Sequence, residues 1–500
     1  MPQLLAIDAG TTGIRTLAFD LSGRVTAVAY RPLTQSFPEP GWVEHNGEEI
    51  LRLVLETLTE VANNVKQHED SVLAIGITNQ RETTIAFDRS TGRSLAPAIV
   101  WQDRRTAARC DALRSAGLEE EVRATTGLVL DPYFSATKMS WLLEAGVGNP
   151  AKTLALSTID SWILWHLTGG TNGGVFATDP SNASRTMLFD LRTGTWSPSL
   201  TDHFGIPMEA LATIHPTSSR FGSLAKNAVP ELAGVPISSI IGDQQGALFG
   251  QACIAPGMAK STYGTGSFVL QNIGQTFPDP PNGLTTSVAW QLGANAPLTF
   301  ALEGSAFVAG AAIQWLRDDL QLIAQSEDLE PLARSVDTSD GVAVVPAFTG
   351  LGSPWFDPRA RGTITGLTRG AGRAQIARAT IEALAFQVTA MVDAMVAAGG
   401  QPITTLRVDG GASSMDLLCQ LQANQLQVPV ERPVSVETTA LGAALLAGLA
   451  EGALPDVATI ADRWRSADQF QPMVDAEVGR HGFNEWLAAV EQSRGLAQDE

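Results

Sequence analysis

Four short apolar runs in this sequence break off in the same way. Leu4 to Ile7 stops at "DAGTT", "LAIGIT" (residues 73–78) at "NQRETT", "SIIG" (239–242) at "DQQGALFG", and "LRV" (406–408) at "DGGASS". Parallel strands buried on both faces read as unbroken apolar runs, and open α/β sheets collect ligands beyond their carboxyl ends. Four such endings predict an α/β protein whose strand ends line a site. The first, "LLAIDAGTTGIR", admits two readings. Gly10 and Gly13 suit a hairpin turn, with Ile14 to Asp20 and Val25 to Arg31 as a further strand pair, or else the same small, hydroxyl-rich turn holds phosphate.

Helical patterns separate the runs. In "NGEEILRLVLETLTEVANNVKQ" the apolar residues Ile50, Leu53, Val54, Val61 and Val65 share a face, and Asn46 with Glu49 forms an N-terminal capping box. "AQIARATIEALAFQVTAMVDAMVAAGG" repeats the pattern through Ile376, Leu384, Val388, Val392 and Met395 and stops at Gly399 and Gly400. The two halves also echo one another. "AIDAG" faces "RVDGG", and the small-residue segment "DQQGALFGQA" faces "TTALGAALLAG", a pair that would let two lobes cross closely.

A chain of 500 residues suits two domains and a cleft. Its net charge of −19 repels nucleic acid and anionic membranes, and no basic stripe offsets it. Cys110, Cys253 and Cys419 build neither a disulfide framework nor a metal knuckle, and the histidines are scattered, so a reducing compartment is expected and any metal should arrive with substrate. "MPQLLAID" is not a signal peptide, and the most lipid-like stretch, "TALGAALLAGLAEG", is too short to span a bilayer. A soluble cytoplasmic protein without integral membrane association is expected.

The strings "DAGTTGIRT", "PGWVEH", "AIGITNQRETT", "AIVWQDRRT", "TGLVLDPYFSATKMSWLL", "SNASRTMLFD", "GDQQGALFGQ", "STYGTGSFVL", "ALEGSAFVAGAAIQWLRD", "VPAFTGLGSPWFDPRARG", "GLTRG" and "VDGGAS" run through nearly the whole chain in order. In them the chain resembles the FGGY carbohydrate kinases, and within these the branch that phosphorylates glycerol. The resemblance implies two actin-like, ribonuclease H-like α/β domains related by duplication, residues 1–248 and 249–500, with the active site between them. It implies MgATP and glycerol as substrates, a homo-oligomer (dimer or tetramer), and Asp8 to Arg15 as the phosphate hairpin, which reconciles the two readings of that turn.

The resemblance places Arg81, Glu82, Tyr133 and Asp243 on the glycerol hydroxyls with Gln244 close by, and Trp101 and Phe268 on the carbon face. Asp243 becomes the general base; Asp8 sits near magnesium; Thr11, Thr12, Gly13, Arg15, Thr265, Gly310, Gln314, Gly411 and Met415 surround the nucleotide. Read alone, these residues have plainer explanations: Arg81 and Glu82 as a surface pair, Trp101 and Phe268 as core, Tyr133 as a loop cap, Asp243 as a helix N-cap. Three departures stand out. Gly13 and Met415 occupy positions where relatives often carry Ser and Asn. Where some bacterial enzymes bind fructose bisphosphate through a Gly-Lys-Gly-Gly-Thr-Arg loop, this chain reads "AVPELAGVPISS", so no inhibition through that site is expected. The segment after about Asp456 matches least and is expected to be a helical packing element.

Overall fold

The computed structural model describes residues 1–147, 152–277 and 283–496. Its frame is two mixed sheets. In the first, the strands run in the order Ser218–Ser223, Pro236–Gly242, Ser71–Asn79, Pro2–Ala9, Gly13–Asp20 and Val25–Pro32. Pro2–Ala9 pairs antiparallel with Gly13–Asp20, which pairs antiparallel with Val25–Pro32, so the glycine-threonine turn and the second hairpin are both present. Pro2–Ala9, Ser71–Asn79 and Pro236–Gly242 are mutually parallel neighbours, which puts three of the four noted strand ends on one edge.

The second sheet has the order Thr285–Gln291, Leu298–Ala306, Ser267–Gly274, Met258–Tyr263, Thr405–Asp409, Val430–Pro433 and Ser466–Phe470. Met258–Tyr263 turns back antiparallel into Ser267–Gly274 and lies parallel to Thr405–Asp409, which is parallel to Val430–Pro433. This repeats the connectivity of the first sheet and bears out the duplicated α/β architecture. It also corrects the echo between "AIDAG" and "RVDGG". The topological counterpart of the Asp8 turn is the hairpin turn at Gly264–Gly266, whereas Asp409 ends the strand equivalent to Ser71–Asn79. Both are acid- or glycine-ended strands, and local composition alone does not distinguish their places.

The small-residue helices do occupy matching positions. Asp243–Gly250 follows Pro236–Gly242, Thr438–Ala450 follows Val430–Pro433, and the two pack on each other. A Cβ on Gly250 would lie 1.9 Å from the Thr438 carbonyl oxygen and one on Gly442 2.0 Å from that of Gly246. Only glycine permits this approach. Thr438–Ala450 also lies on the first sheet, where a Cβ on Gly76 would meet the Ala443 carbonyl oxygen at 2.3 Å. The expected division at 248/249 falls within the helix Asp243–Gly250.

Both long helices form as their periodicity predicts. Gly47–Gln67 is capped by Asn46, whose side chain accepts from the Glu49 amide at 3.1 Å. Arg373–Ala397 ends where Gly399 takes φ 84°. The sequence reading passed over this second helix as a membrane candidate, although it is long and apolar enough to qualify; most of it is buried in the second core beside Leu384, Val388 and Met395. All three cysteines are buried and unpaired. The helix Ala476–Ser493 packs Phe483 and Trp486 against Phe386, and the Trp486 indole donates to the Val344 carbonyl at 2.8 Å, but Ser466–Phe470 is a strand that closes the second sheet, so the segment after Asp456 is only partly the helical packing element expected.

Candidate functional site

At the end of the first strand, Asp8 faces Arg15 across the hairpin. Arg15 Nη2 lies 2.5 Å from Asp8 Oδ2, and its Nη1 donates to Glu437 at 2.7 Å, so the second half of the chain contributes an anchor to the turn. Burial pushes the Asp8 carboxyl up against the opposing pull of Arg15. The Gly10 amide closes the turn on the Gly13 carbonyl at 3.1 Å, Thr12 is exposed, and the Thr11 hydroxyl accepts from the Trp101 indole at 2.9 Å. A Cβ on Gly13 would stand 2.3 Å from Tyr30 Cε2 and 2.7 Å from its hydroxyl. The departure at Gly13 thus has a structural partner: the Tyr30 ring covers the space that a side chain would need.

Arg81 and Glu82 follow the strand Ser71–Asn79 and are 3% and 1% exposed, which excludes the surface-pair explanation. Glu82 has φ 61°, a strained backbone for a side-chain-bearing residue, of the kind that concentrates at functional sites. Three side chains hold Arg81. Its Nη1 and Nη2 donate to Glu303 at 2.6 and 3.0 Å, Nη1 also reaches Gln245 at 3.3 Å, and Nε lies 3.2 Å from Asp243 Oδ1. Arg185 closes the cluster, donating from Nε to Glu82 at 2.6 Å and from Nη2 to Glu303 at 3.1 Å.

These charges shape one another. Burial alone would raise Glu303, but the Arg185 and Arg81 guanidiniums hold it down at about 2. Glu82 is raised by its burial despite Arg81 and Arg185. Asp243 is likewise raised by burial against the pull of Arg81. Asp243 is the first residue of its helix, with Gly242 as the N-cap; its carboxylate accepts from the Gln244 amide at 2.7 Å and remains 31% exposed. The N-cap expectation is therefore off by one residue, and the carboxylate stays open to a ligand.

The aromatic residues complete this side. Tyr133 meets Trp101 edge to face at 5.6 Å, and its hydroxyl lies 3.5 Å from Arg81 Nη2. Trp101 and Phe268 are half-buried rather than core-enclosed. Gln244 accepts through Oε1 from Lys260, a fully buried lysine that also donates to Thr262 at 2.8 Å and that burial lowers to about 8. Because an ammonium only donates, it fixes Oε1 towards itself and leaves the Gln244 amide N–H groups for another partner.

On the other side, the Gly264–Gly266 turn meets the start of the helix Gly310–Asp318. The Gly310 amide donates to the Gly264 carbonyl and the Ala309 amide to that of Thr265, both at 2.8 Å. A Cβ on Gly310 would come within 2.6 Å of the Gly264 oxygen. Gly410, at φ 85°, is pressed against Tyr263, whereas a Cβ on Gly411 would meet nothing within 4 Å. Thr265, Gln314 and Gly411 are exposed. Met415 differs: it is buried in the second core.

The structure thus gathers Asp8, Arg15, Arg81, Glu82, Trp101, Tyr133, Asp243 and Gln244 around the strand ends of the first sheet, and Thr265, Gly310 and Gly411 around those of the second. Sequence reasoning missed Glu303, Arg185, Lys260 and Glu437. The signal for Glu303 was available: a lone acid inside the apolar strand "LTFALEGSA" needs a buried cation. Among the described residues no group of three or more His, Cys, Asp or Glu could hold a metal ion by itself. Asp8, near enough to Asp243 to help raise that carboxyl, fits an ion held chiefly by substrate phosphates.

Residues 3–250 match the N-terminal domain, and residues 259–451 the C-terminal domain, of the FGGY family of carbohydrate kinases. The chain belongs to this family. It is 48% identical over 499 residues to the glycerol kinase of Aromatoleum aromaticum and 50% identical over 503 residues to that of Polaromonas naphthalenivorans, in each case over 99% of both chains. Among solved structures, glycerol kinase from Plasmodium falciparum with ADP superposes with a TM-score of 0.93 at 33% identity, covering 100% of this chain and 99% of that one.

Proposed function

We propose that this protein transfers the γ-phosphoryl group of ATP to a terminal hydroxyl of glycerol, giving sn-glycerol 3-phosphate in glycerol catabolism, with residues 1–248 and 249–500 as the two lobes of a cytoplasmic enzyme. The observation that carries the reading is the placement of Asp243. Its partly open carboxylate lies 3.2 Å from Arg81 Nε and near enough to Asp8 of the hairpin to be raised by it, which supports a role between acceptor and phosphate. The near-half identity to named glycerol kinases supports glycerol as the acceptor.

In this mechanism Arg81, Glu82, Tyr133 and Gln244 bind the hydroxyls, while Trp101 and Phe268 flank the carbons. Asp243 takes the proton of the attacking hydroxyl as its oxygen bonds to the γ-phosphorus in line with the departing ADP oxygen. Arg15, Thr11, Thr12, Thr265 and the backbone amide of Gly13 bind phosphate oxygens, and Gly310, Gln314 and Gly411 border the adenosine. Met415, being buried, would act there through the position of its backbone. Asp8 would hold the magnesium ion that arrives with ATP, and the charge neutralisation the ion would supply would fall on the phosphates. A site whose buried polar groups match specific hydroxyls rejects analogues that leave those groups unpaired.

The test is ADP release with MgATP and glycerol, dihydroxyacetone, erythritol, xylulose or no acceptor, with Asp243→Asn in parallel. Rapid turnover with glycerol, formation of glycerol 3-phosphate and its loss in the variant are expected. Preference for another polyol would overturn the acceptor reading, and equal ADP release without acceptor would overturn phosphoryl transfer altogether.

A further inference from the structure

Lys138 is fully buried, and no carboxylate lies within 4.0 Å of its ammonium among the described residues. It sits in the first turn of the helix Ser135–Glu144, where the helix dipole disfavours a cation. Its side chain points back past the helix start, and Nζ donates to three successive carbonyls: Pro132 at 2.9 Å, Tyr133 at 2.6 Å and Phe134 at 2.9 Å. Each ammonium proton therefore has an acceptor, and the three acceptors are the backbone of the loop that carries Tyr133.

We infer that Lys138 is a positioning residue for the acceptor site, clamping the 132–134 backbone so that the Tyr133 hydroxyl stays at Arg81. Other groups hold the loop through single hydrogen bonds and ring packing. The Tyr133 amide donates to Asp131 Oδ1 at 2.8 Å, and the Phe134 amide to the Asp131 carbonyl at 3.2 Å. Beyond these, the Tyr133 and Phe134 rings rest on each other at 5.0 Å and against the Arg185 guanidinium at 5.4 and 5.0 Å, Tyr133 meets Trp101 at 5.6 Å with its hydroxyl 3.5 Å from Arg81 Nη2, and Phe134 is buried in the core cluster of Leu130, Met139 and Leu188. Ring packing tolerates sliding; three short bonds converging on one nitrogen do not. An apolar side chain of similar length would fill the space but take the donor from three carbonyls, those of Pro132 and Phe134 buried and that of Tyr133 partly so. The inference rests on the reading of Tyr133 as a glycerol-binding residue.

The test compares Lys138→Met with Lys138→Gln, which keeps two donors and serves if the methionine variant does not fold. Hydrogen exchange and steady-state kinetics are read on each, alone and combined with Tyr133→Phe. Lys138→Met is expected to speed exchange at the Tyr133 and Phe134 amides and to raise KM for glycerol about tenfold, the equivalent of one well-placed hydrogen bond. KM for MgATP should move less than about twofold. Lys138→Gln should fall between, and in a Tyr133→Phe background Lys138→Met should add little. Unchanged exchange at 133 and 134, or equal changes in both KM values with exchange raised along the whole helix, would overturn the positioning role. If Tyr133→Phe alone leaves KM for glycerol unchanged while Lys138→Met speeds exchange, it is the acceptor role of Tyr133 that has failed, and the positioning claim falls with it.

Discussion

Glu303 comes from the second sheet but fixes residues of the first, and Glu303→Gln tests whether the acceptor site depends on that crossing. The carboxylate accepts bonds of 2.6 and 3.0 Å from Arg81 and 3.1 Å from Arg185, and at about 2 its pKa keeps it ionised under any practical assay. Neutralising it leaves two buried guanidiniums with Glu82 and the partly exposed Asp243 as counter-charges. Breaking one partner out of a buried ion pair costs about 3–5 kcal/mol. Glutamine returns one carbonyl acceptor, worth about 1 kcal/mol, so a loss of roughly 2–4 kcal/mol is expected. If about 2–3 kcal/mol of it is felt at Arg81, kcat/KM for glycerol falls about 30- to 150-fold. Arg185→Gln combined with Glu303→Gln removes one charge of each sign and leaves Arg81 with Glu82. The double variant should then recover at least about 1.5 kcal/mol relative to the sum of the single effects. Denaturant titrations and glycerol kinetics on the three variants measure both quantities. Strict additivity, or a folded Glu303→Gln enzyme with unaltered kcat/KM, would refute the claim that charge crossing between the sheets orients Arg81.

Five further outcomes are expected. Asp243→Asn lowers kcat about 10²- to 10⁴-fold, the usual contribution of a positioned base. Because burial raises the Asp243 carboxyl above the usual carboxylate value, and the base works only when ionised, wild-type kcat/KM falls as pH drops through that raised pKa, giving an acid limb above 3.8 that the Asn variant lacks. Gly13→Ser drives its Cβ into the Tyr30 ring and raises KM for MgATP; adding Tyr30→Ala, which opens that space, restores it, and kinetics on both variants decide the point. Gly250→Ala puts a methyl 1.9 Å from the Thr438 carbonyl and costs about 1–3 kcal/mol or more by overpacking, seen as a lowered melting temperature. Fructose bisphosphate leaves the rate unchanged, since the stretch Ala228–Ser239 supplies no basic side chain.

How much of this was legible in the sequence depended on whether a residue's partner was local. The capping of Gly47–Gln67 by Asn46 and the stop at Gly399 need only neighbours along the chain, and both were readable from spacing. Strand ends at Asp8, Asn79, Gly242 and Asp409 were readable too, because buried parallel strands announce themselves by composition. Which ends correspond was not, since hairpin turn and crossover end use the same small residues and only pairing separates them. The partners of Arg81 lie more than 160 positions away at Gln245 and 222 away at Glu303, so its burial looked from the sequence like an ordinary surface pair with Glu82. Resemblance named the groups proposed to bind substrate, but a lysine whose acceptors are backbone carbonyls leaves no pattern in side-chain chemistry. Nothing in "SATKMSWLL" singles out Lys138, and the physical sign of its role, an ammonium directed wholly at the carbonyls of residues 132–134, exists only once the loop has folded back over it. Positioning groups of this kind are where a sequence says least and a mutation is most informative.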